Sequence, residues 1–150
     1  MRILFICTGN TCRSPMAEAI LNHRDEPHIE VRSAGLFAME GGMASHNAQQ
    51  VLEENGLTHN HRSHSVTQSD VHWADYVFAM TSSHKAMLME QFPFAADRIF
   101  TLKEFSSERG LDVSDPYGGS VEVYRSTFNE LNRLMDSMLK NLNKQEQGGF

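Results

Sequence analysis

A short apolar run beside a glycine-containing loop constrains the fold of this 150-residue chain more than any other feature. The run Ile3-Leu4-Phe5-Ile6 predicts a buried strand at residues 2–6. Pro15 suits the first position of a helix over residues 15–24, and Ser14 is the predicted N-cap. The loop between strand and helix reads Cys7-Thr8-Gly9-Asn10-Thr11-Cys12-Arg13. Because the positive end of the helix would face this loop, the segment predicts a phosphate-binding site.

Cys7 and Arg13 are candidate catalytic residues in this loop. The helix N-terminus, the loop N–H groups and a fixed guanidinium together stabilise a thiolate, which can attack phosphorus. Arg13 offers a planar fork for two phosphoryl oxygens. Gly9 and Asn10 tolerate positive φ, which lets successive N–H groups turn inward. Cysteine and arginine also occur at this spacing by chance, so the prediction depends on the flanking strand and helix signals.

A second segment, Asp115-Pro116-Tyr117-Gly118-Gly119, supplies a candidate proton donor. A phosphatase needs an acid that protonates the leaving atom, and Asp115 is the predicted general acid. Pro116 restricts the backbone of the residue before it, so Asp115 is expected on stiff backbone. An Asp-Pro in a glycine-rich loop is more often a plain turn. The pairing with the Cys7 loop favours the catalytic interpretation, with Asp112 as the nearest other carboxylate.

From end to end the chain resembles the low-molecular-weight protein tyrosine phosphatase family. The matching segments are the Cys7 loop, Ser33-Ala34-Gly35 after the second predicted strand, and Asp115-Pro116-Tyr117. The resemblance implies a phosphocysteine at Cys7, with Asp115 protonating the leaving group and then activating water. It assigns phosphate binding to the loop residues Thr8, Gly9, Asn10, Thr11, Cys12, Arg13 and Ser14. It also implies a supporting hydrogen-bond network made of Asn10, Ser14, Ser33 and His61.

Two departures from the tyrosine-phosphatase pattern concern the substrate. Thr11 stands where that pattern has a bulky aliphatic residue, and Gly118 stands where many tyrosine-specific members have an aromatic. In having Thr11 the chain resembles the bacterial protein arginine phosphatase branch, in which a threonine at this loop position is associated with a preference for phosphoarginine. A hydroxyl can contact a guanidinium, whereas an aliphatic side chain suits a phenyl ring. Tyr117 and Phe37 are the other predicted specificity residues, although Phe37 could equally cap the core.

The predicted function is therefore hydrolysis of phosphoarginine in proteins, and a partner protein arginine kinase is implied. The alternative is a tyrosine phosphatase in which Thr11 is a neutral substitution. Arsenate reductases reuse this loop but need redox cysteines far from it, and this chain has only Cys7 and Cys12. Those two thiols could form a reversible, protective disulfide, or Cys12 could be a packed small side chain. A phosphate-binding module without catalysis would not need Cys7 and Asp115 together.

Composition narrows the remaining possibilities. The formal net charge of −6 argues against nucleic acid as the main partner. The sequence predicts no membrane span and no signal peptide, hence a cytoplasmic protein that is expected to be a monomer. No cofactor is expected. His59, His61 and His64 lie close in sequence, but no metal site is predicted because no further ligand completes the set.

Strand and helix signals alternate, which predicts an α/β fold built as one domain over residues 1–150. Successive strand–helix units predict a parallel sheet of four strands between layers of helices, which is a three-layer sandwich. The resemblance implies the flavodoxin-like strand order 2-1-3-4. Strands are predicted at residues 2–6, 29–33, 75–80 and 98–102. Helices are predicted at residues 15–24, 46–55, 82–91 and 121–142, followed by a frayed tail at residues 143–150.

Overall fold

The sheet at the centre of the molecule has four parallel strands. The computed structural model describes residues 1–57 and 60–147. The strands are β1 (Arg2–Cys7), β2 (Glu30–Gly35), β3 (Tyr76–Ala79) and β4 (Ile99–Thr101). Their order is β2-β1-β3-β4, with β1 paired to both β2 and β3. The predicted α/β class and the predicted strand order are therefore confirmed.

Helices cover both faces of the sheet. Ile3, Phe5 and Cys7 of β1 face one buried cluster, whereas Leu4 and Ile6 face another. Because β1 is buried on both sides, its sequence is a continuous apolar run rather than an alternating one. In the described residues the α-helices are α1 (Arg13–His23), α2 (His46–Glu54), α3 (Gln68–Trp73), α4 (Ser82–Gln91), α5 (Leu102–Phe105) and α6 (Val121–Gln147), and a 3-10 helix spans Pro93–Arg98.

The two clusters define the layers of a three-layer sandwich. The cluster that contains Phe5 includes residues of α1, α2, α5 and α6. The cluster that contains Leu4 includes residues of α3 and α4, with Ile99 of β4. Among the helices described, none is long and apolar enough to cross a membrane.

Several short elements and element boundaries differ from the prediction. Helices α3 and α5 and the 3-10 helix were not predicted, because four to six residues carry too little periodicity. Strand β4 ends at Thr101, whose side chain caps α5 together with Glu104. Helix α6 extends to Gln147, so residues 143–147 of the predicted frayed tail are helical, and residues 148–150 lie outside the described part of the chain.

The start of α1 also differs from the prediction. The helix begins at Arg13, after Cys12, and no side chain caps its N-terminus. Ser14 is thus inside the helix and is not the N-cap. Pro15 remains compatible with this position, because the first N–H groups of a helix have no partner within it. The hydroxyl of Ser14 is turned toward the Cys7 loop instead.

Candidate active site

A cavity lies at the carboxyl end of β1, where the chain passes from the sheet into α1. Its volume is about 220 Å³. Cys7 is the last residue of β1 and is buried, and Arg13 is the first residue of α1. Both predicted groups and the predicted acid share this cavity, whose lining residues are Cys7, Thr8, Gly9, Thr11, Cys12, Arg13, Asp115 and Tyr117.

The backbone of the loop is oriented with its carbonyl groups away from the cavity. Five loop carbonyl oxygens accept hydrogen bonds from groups outside the loop. The donor–acceptor pairs are Leu36 N to Cys7 O (3.0 Å), Phe37 N to Thr8 O (2.9 Å), His61 Nε2 to Asn10 O (2.6 Å), Ser45 N to Thr11 O (2.8 Å) and Met16 N to Cys12 O (3.2 Å). Within the described residues, the N–H groups of residues 8–12 have no acceptor. They are therefore available to an oxyanion.

One loop residue has the backbone conformation that makes this turn possible. Asn10 has φ 56°, in the left-handed region that asparagine tolerates better than most residues. Gly9, for which positive φ was also predicted, is not in that region. The absence of a side chain matters more at Gly35, where a Cβ atom would lie 2.6 Å from the Thr8 carbonyl oxygen. The end of β2 thus presses directly against the loop.

Hydrogen bonds link the Cys7 sulfur to buried polar side chains. The Ser14 hydroxyl lies 2.9 Å from Cys7 Sγ. Asn10 Nδ2 donates to Ser14 Oγ and to Ser33 Oγ, both at 2.9 Å. Because Ser14 Oγ already accepts a hydrogen bond from Asn10, its own proton is free to point at the sulfur, which stabilises a thiolate. Three predicted network residues are thus brought together, with Ser33 inside β2 rather than after it.

The network continues to a carboxylate that the sequence analysis missed. Ser33 Oγ donates to Glu18 Oε1 at 2.8 Å, and His61 Nδ1 lies 3.6 Å from the same oxygen. His61 is buried and, through its other nitrogen, holds the Asn10 carbonyl. Glu18 follows Ser14 by four residues on α1, the spacing that places two side chains on one helix face. That spacing could have indicated Glu18.

Asp115 faces the loop from the opposite wall. Its Oδ2 lies 3.7 Å from Arg13 Nη2, and its side chain is 58% exposed. Its Oδ1 accepts a hydrogen bond from the Tyr117 N–H at 3.1 Å, which orients the carboxylate. Arg13 is itself buried and donates to the Val113 carbonyl oxygen at 3.0 Å. The guanidinium therefore joins the two walls.

The predicted specificity residues fall in different environments. Thr11 lines the cavity, and the hydrogen-bond partner of its hydroxyl within the described residues is the weak acceptor Cys12 Sγ, 3.7 Å away. Tyr117 lines the mouth and is 80% exposed. Phe37 is 67% exposed and does not line the cavity. Gly118 has φ 78°, so a residue with a side chain there would be strained.

Cys12 has polar neighbours, which the sequence analysis did not anticipate. Its Sγ lies 3.3 Å from the hydroxyl of Tyr124, and Ser45 Oγ donates to the same hydroxyl at 3.3 Å. Burial, followed by the hydrogen bond with Cys12, raises the pKa of Tyr124 to about 12. Cys7 and Cys12 are both free and buried. Tyr124 lies in the helix predicted at residues 121–142, and the sequence gave no separate signal for its hydroxyl.

His84 is a further buried residue that the sequence analysis missed. Its Nε2 lies 2.8 Å from Thr8 Oγ1. It stands in the first turn of α4, just beyond β3, and the carboxyl ends of parallel strands lie at one edge of the sheet. That position could have indicated proximity to Cys7. Of the three histidines considered for a metal, His59 lies outside the described residues, and among residues 1–57 and 60–147 no group of three His, Cys, Asp or Glu side chains could hold a metal ion.

Comparisons with known proteins agree with this geometry over nearly the whole chain. The sequence profile of the family described as "Low molecular weight phosphotyrosine protein phosphatase" matches residues 2–148. A curated protein-arginine-phosphatase from Geobacillus stearothermophilus is 50% identical over 145 residues, covering 97% of this chain and 98% of its own length. The low molecular weight protein-tyrosine-phosphatase PtpB of Staphylococcus aureus is 39% identical over 135 residues, covering 90% and 94%.

A solved structure extends the likeness to three dimensions. It is the C7S mutant of YwlE arginine phosphatase with a phosphorylated active site serine. It matches this chain with a TM-score of 0.93 and 42% sequence identity, covering 98% of this chain and 99% of its own. Sequence and structure therefore give the same relationship.

Proposed function

Because the chain belongs to the low molecular weight phosphotyrosine protein phosphatase family, we propose that it hydrolyses phosphoarginine in proteins, with Cys7 as the nucleophile. The observation that carries the proposal is the single cavity in which Cys7, the Thr11 hydroxyl and the Asp115 carboxylate meet. Two similarities support it. One curated relative at 50% identity is named a protein-arginine-phosphatase, and the mutated residue of the YwlE structure has the same number as Cys7.

The first step transfers the phosphoryl group to sulfur. The Cys7 thiolate attacks phosphorus, the S–P bond forms, and the P–N bond to the arginine breaks. Asp115 donates a proton to the departing nitrogen, so the arginine leaves as a positively charged guanidinium. The loop N–H groups and Arg13 hold the phosphoryl oxygens where negative charge accumulates.

The second step returns the enzyme to its starting state. Asp115, now a carboxylate, takes a proton from a water molecule that attacks phosphorus. The new O–P bond forms, the S–P bond breaks, and inorganic phosphate leaves. Ser14 donates a hydrogen bond to the sulfur as it regains its charge, and Asn10 keeps the Ser14 hydroxyl in that orientation.

Selectivity for arginine follows from the polarity of the walls. A guanidinium carries several N–H donors and a positive charge, whereas a phenyl ring carries neither. The Thr11 hydroxyl has spare capacity to accept a hydrogen bond, and the Asp115 carboxyl group, which can accept one through its carbonyl oxygen even when it carries a proton, is partly exposed at the mouth. A tyrosine phosphate would gain less from both groups, and a bulky aliphatic residue at position 11 would suit its ring better.

The test is a comparison of kcat/KM for matched phosphoarginine and phosphotyrosine peptides. We measure the unmodified protein, Thr11→Ile and Thr11→Val, which removes the hydroxyl but keeps the branched shape. The unmodified protein should prefer phosphoarginine, and the preference should fall by about 10- to 200-fold in Thr11→Ile. A preference for phosphotyrosine in all three proteins would make this enzyme a tyrosine phosphatase.

The proposal extends to the setting of the reaction. Phosphorylated proteins are the substrates, and a protein arginine kinase would supply them. We infer a monomer that works in the cytoplasm without a cofactor, a metal or a nucleic acid. We also propose that Cys7 and Cys12 form a reversible disulfide under oxidation, since both are free and lie in one cavity wall.

A further inference from the structure

A buried histidine beside the cavity has no role in the reaction as written above. His84 is 6% exposed and does not line the cavity. Its Nε2 lies 2.8 Å from Thr8 Oγ1, and Thr8 does line the cavity. Its Nδ1 is buried without a hydrogen-bond partner in the described part of the chain. Buried polar atoms are nearly always bonded, so the burial of this nitrogen costs stability.

The charge on the ring follows from its surroundings. Burial, and then the nearby Arg13 guanidinium, lower the pKa of His84 to about 4, while the carboxylates of Asp112 and Asp115 act in the opposite direction. The ring is therefore neutral near pH 7 and has a single N–H. With that hydrogen on Nδ1, a donor would be buried without an acceptor, which is rarer in proteins than an unpaired acceptor. The hydrogen thus belongs on Nε2.

This tautomer fixes the role of the threonine hydroxyl. If Nε2 donates to Thr8 Oγ1, the hydroxyl cannot use its own proton on His84. That proton is left for a group in the cavity. Thr8 is also the residue that follows Cys7, so its side chain stands at the edge of the space where the phosphoryl group would sit.

We propose that His84 is a positioning residue that holds the Thr8 hydroxyl as a hydrogen-bond donor to the phosphoryl group. The inference rests on the proposed phosphoryl transfer at Cys7 and not on the preference for arginine. The neutral imidazole keeps the hydroxyl in one orientation without bringing a second positive charge next to Arg13. Hydrogen bonds to charged acceptors are strong, so losing this one should lower kcat by about 10- to 100-fold.

The experiment uses p-nitrophenyl phosphate, a phosphate ester that lacks a guanidinium. Four variants are compared with the unmodified protein: Thr8→Val, His84→Leu, the double variant, and His84→Gln. Glutamine places an amide N–H close to where Nε2 lies, so His84→Gln should recover most of the kcat lost in His84→Leu. The double variant should be no slower than Thr8→Val, because both changes remove the same hydrogen bond.

Ser83→Ala is the matched control, since Ser83 precedes His84 in α4 and is exposed. It should keep the unmodified kcat. Unchanged kcat in Thr8→Val, or losses that multiply in the double variant, would overturn the proposal. If His84→Leu does not fold, the other two single variants decide. A lower kcat in Thr8→Val with an unchanged kcat in His84→Gln supports the proposal. A lower kcat in both variants, with normal thermal melting of both, overturns it. Failure of the arginine preference alone would leave p-nitrophenyl phosphate turnover in place, which separates the two hypotheses.

Discussion

The two walls of the cavity are built in opposite ways. The wall at residues 7–14 is mostly buried, and its carbonyl oxygens accept hydrogen bonds from the segment just after β2, from α1, and from Ser45 and His61. The wall at residues 115–119 is largely exposed, and its acid is oriented by one backbone N–H at 3.1 Å. Arg13 joins them through Val113 and Asp115. The phosphoryl group, which all substrates share, binds to the wall at residues 7–14, called the rigid wall below. The leaving group contacts the exposed wall at residues 115–119.

The difference between the walls shows which part of the cavity needs a fixed geometry before the substrate binds. An oxyanion site must be complete before the substrate arrives, because reorganising N–H groups during the reaction would cost rate. A leaving group on a folded protein must reach the cavity from outside, so the wall that receives it has to remain accessible. Loss of a first-wall group that attacks phosphorus or holds the phosphoryl oxygens should therefore lower the turnover of every substrate, whereas the effect of a change in the second wall should depend on the leaving group.

The largest effect is expected at Cys7 in the rigid wall. Cys7→Ser removes the thiolate and should lower kcat by about 10⁴-fold or more on every substrate, because a serine hydroxyl is a poor nucleophile without a nearby base. Binding of inorganic phosphate should persist, measured by isothermal titration calorimetry. Cys12→Ser is the matched control, a second buried thiol of the same loop, and should retain most turnover. Persistent turnover in Cys7→Ser would remove Cys7 from the mechanism.

The next effect concerns the exposed wall. Asp115→Asn should lower kcat by about 10²- to 10⁴-fold on substrates with poor leaving groups, because the amide cannot supply the proton. Substrates with good leaving groups should be affected less in the first step. Asp112→Asn is the matched control, since Asp112 is an exposed carboxylate three residues away that accepts a hydrogen bond from the Ser82 N–H. Equal losses in the two variants would contradict the assignment of the acid.

A smaller effect should appear where β2 supports the rigid wall. In Gly35→Ala the new Cβ would lie 2.6 Å from the Thr8 carbonyl oxygen and 3.0 Å from the Asn10 nitrogen. We expect a loss of roughly 1–3 kcal/mol in the free energy of unfolding, together with reduced activity. In Gly9→Ala the nearest atom is the Thr11 hydroxyl oxygen at 3.6 Å, so its loss of stability should be smaller. Urea unfolding of both variants measures the difference, and a reversed order would contradict the close approach.

The mildest effect is expected in the pH dependence of stability. The pKa of His84 is lowered to about 4 in the folded protein, against 6.5 for the unperturbed group. Between these values the unfolded chain binds a proton at this site and the folded chain does not, so stability falls as pH falls. His84→Gln should lose part of this dependence, measured by urea unfolding at pH 7 and pH 5. His46→Gln, at an exposed histidine, is the control, and equal slopes in both variants would contradict the prediction.

The rigid wall was easier to predict from the sequence than the residues that support it. The sequence indicates Cys7, Arg13 and the strand before them through residues that are neighbours in the chain, since the apolar run ends where the loop begins. The confirmed strand order also followed from alternating signals and the family resemblance. The sequence of neighbouring residues does not reveal which way a side chain points. Ser14 was predicted both as the N-cap of α1 and as part of the network around Cys7, and the structure shows the contact with Cys7 Sγ and not the cap.

The remaining residues come from distant parts of the chain. His84 contacts Thr8 across 76 positions, and Tyr124 contacts Cys12 across 112. Such pairs depend on how α4 and α6 pack onto the sheet, which no sequence window contains. Phe37 was predicted either to line the substrate cleft or to cap the core, and in the structure it is mostly exposed and does not line the cavity.

The division of labour between the two walls is tested most directly by trapping the covalent intermediate. Asp115→Asn is mixed with p-nitrophenyl phosphate, quenched, and digested for mass spectrometry. The good leaving group departs without an acid, but water is no longer activated, so one phosphoryl group should accumulate on Cys7 after a burst of nitrophenolate equal to the enzyme concentration. A burst without phosphate on Cys7, or rapid steady turnover in this variant, would contradict the separation of roles.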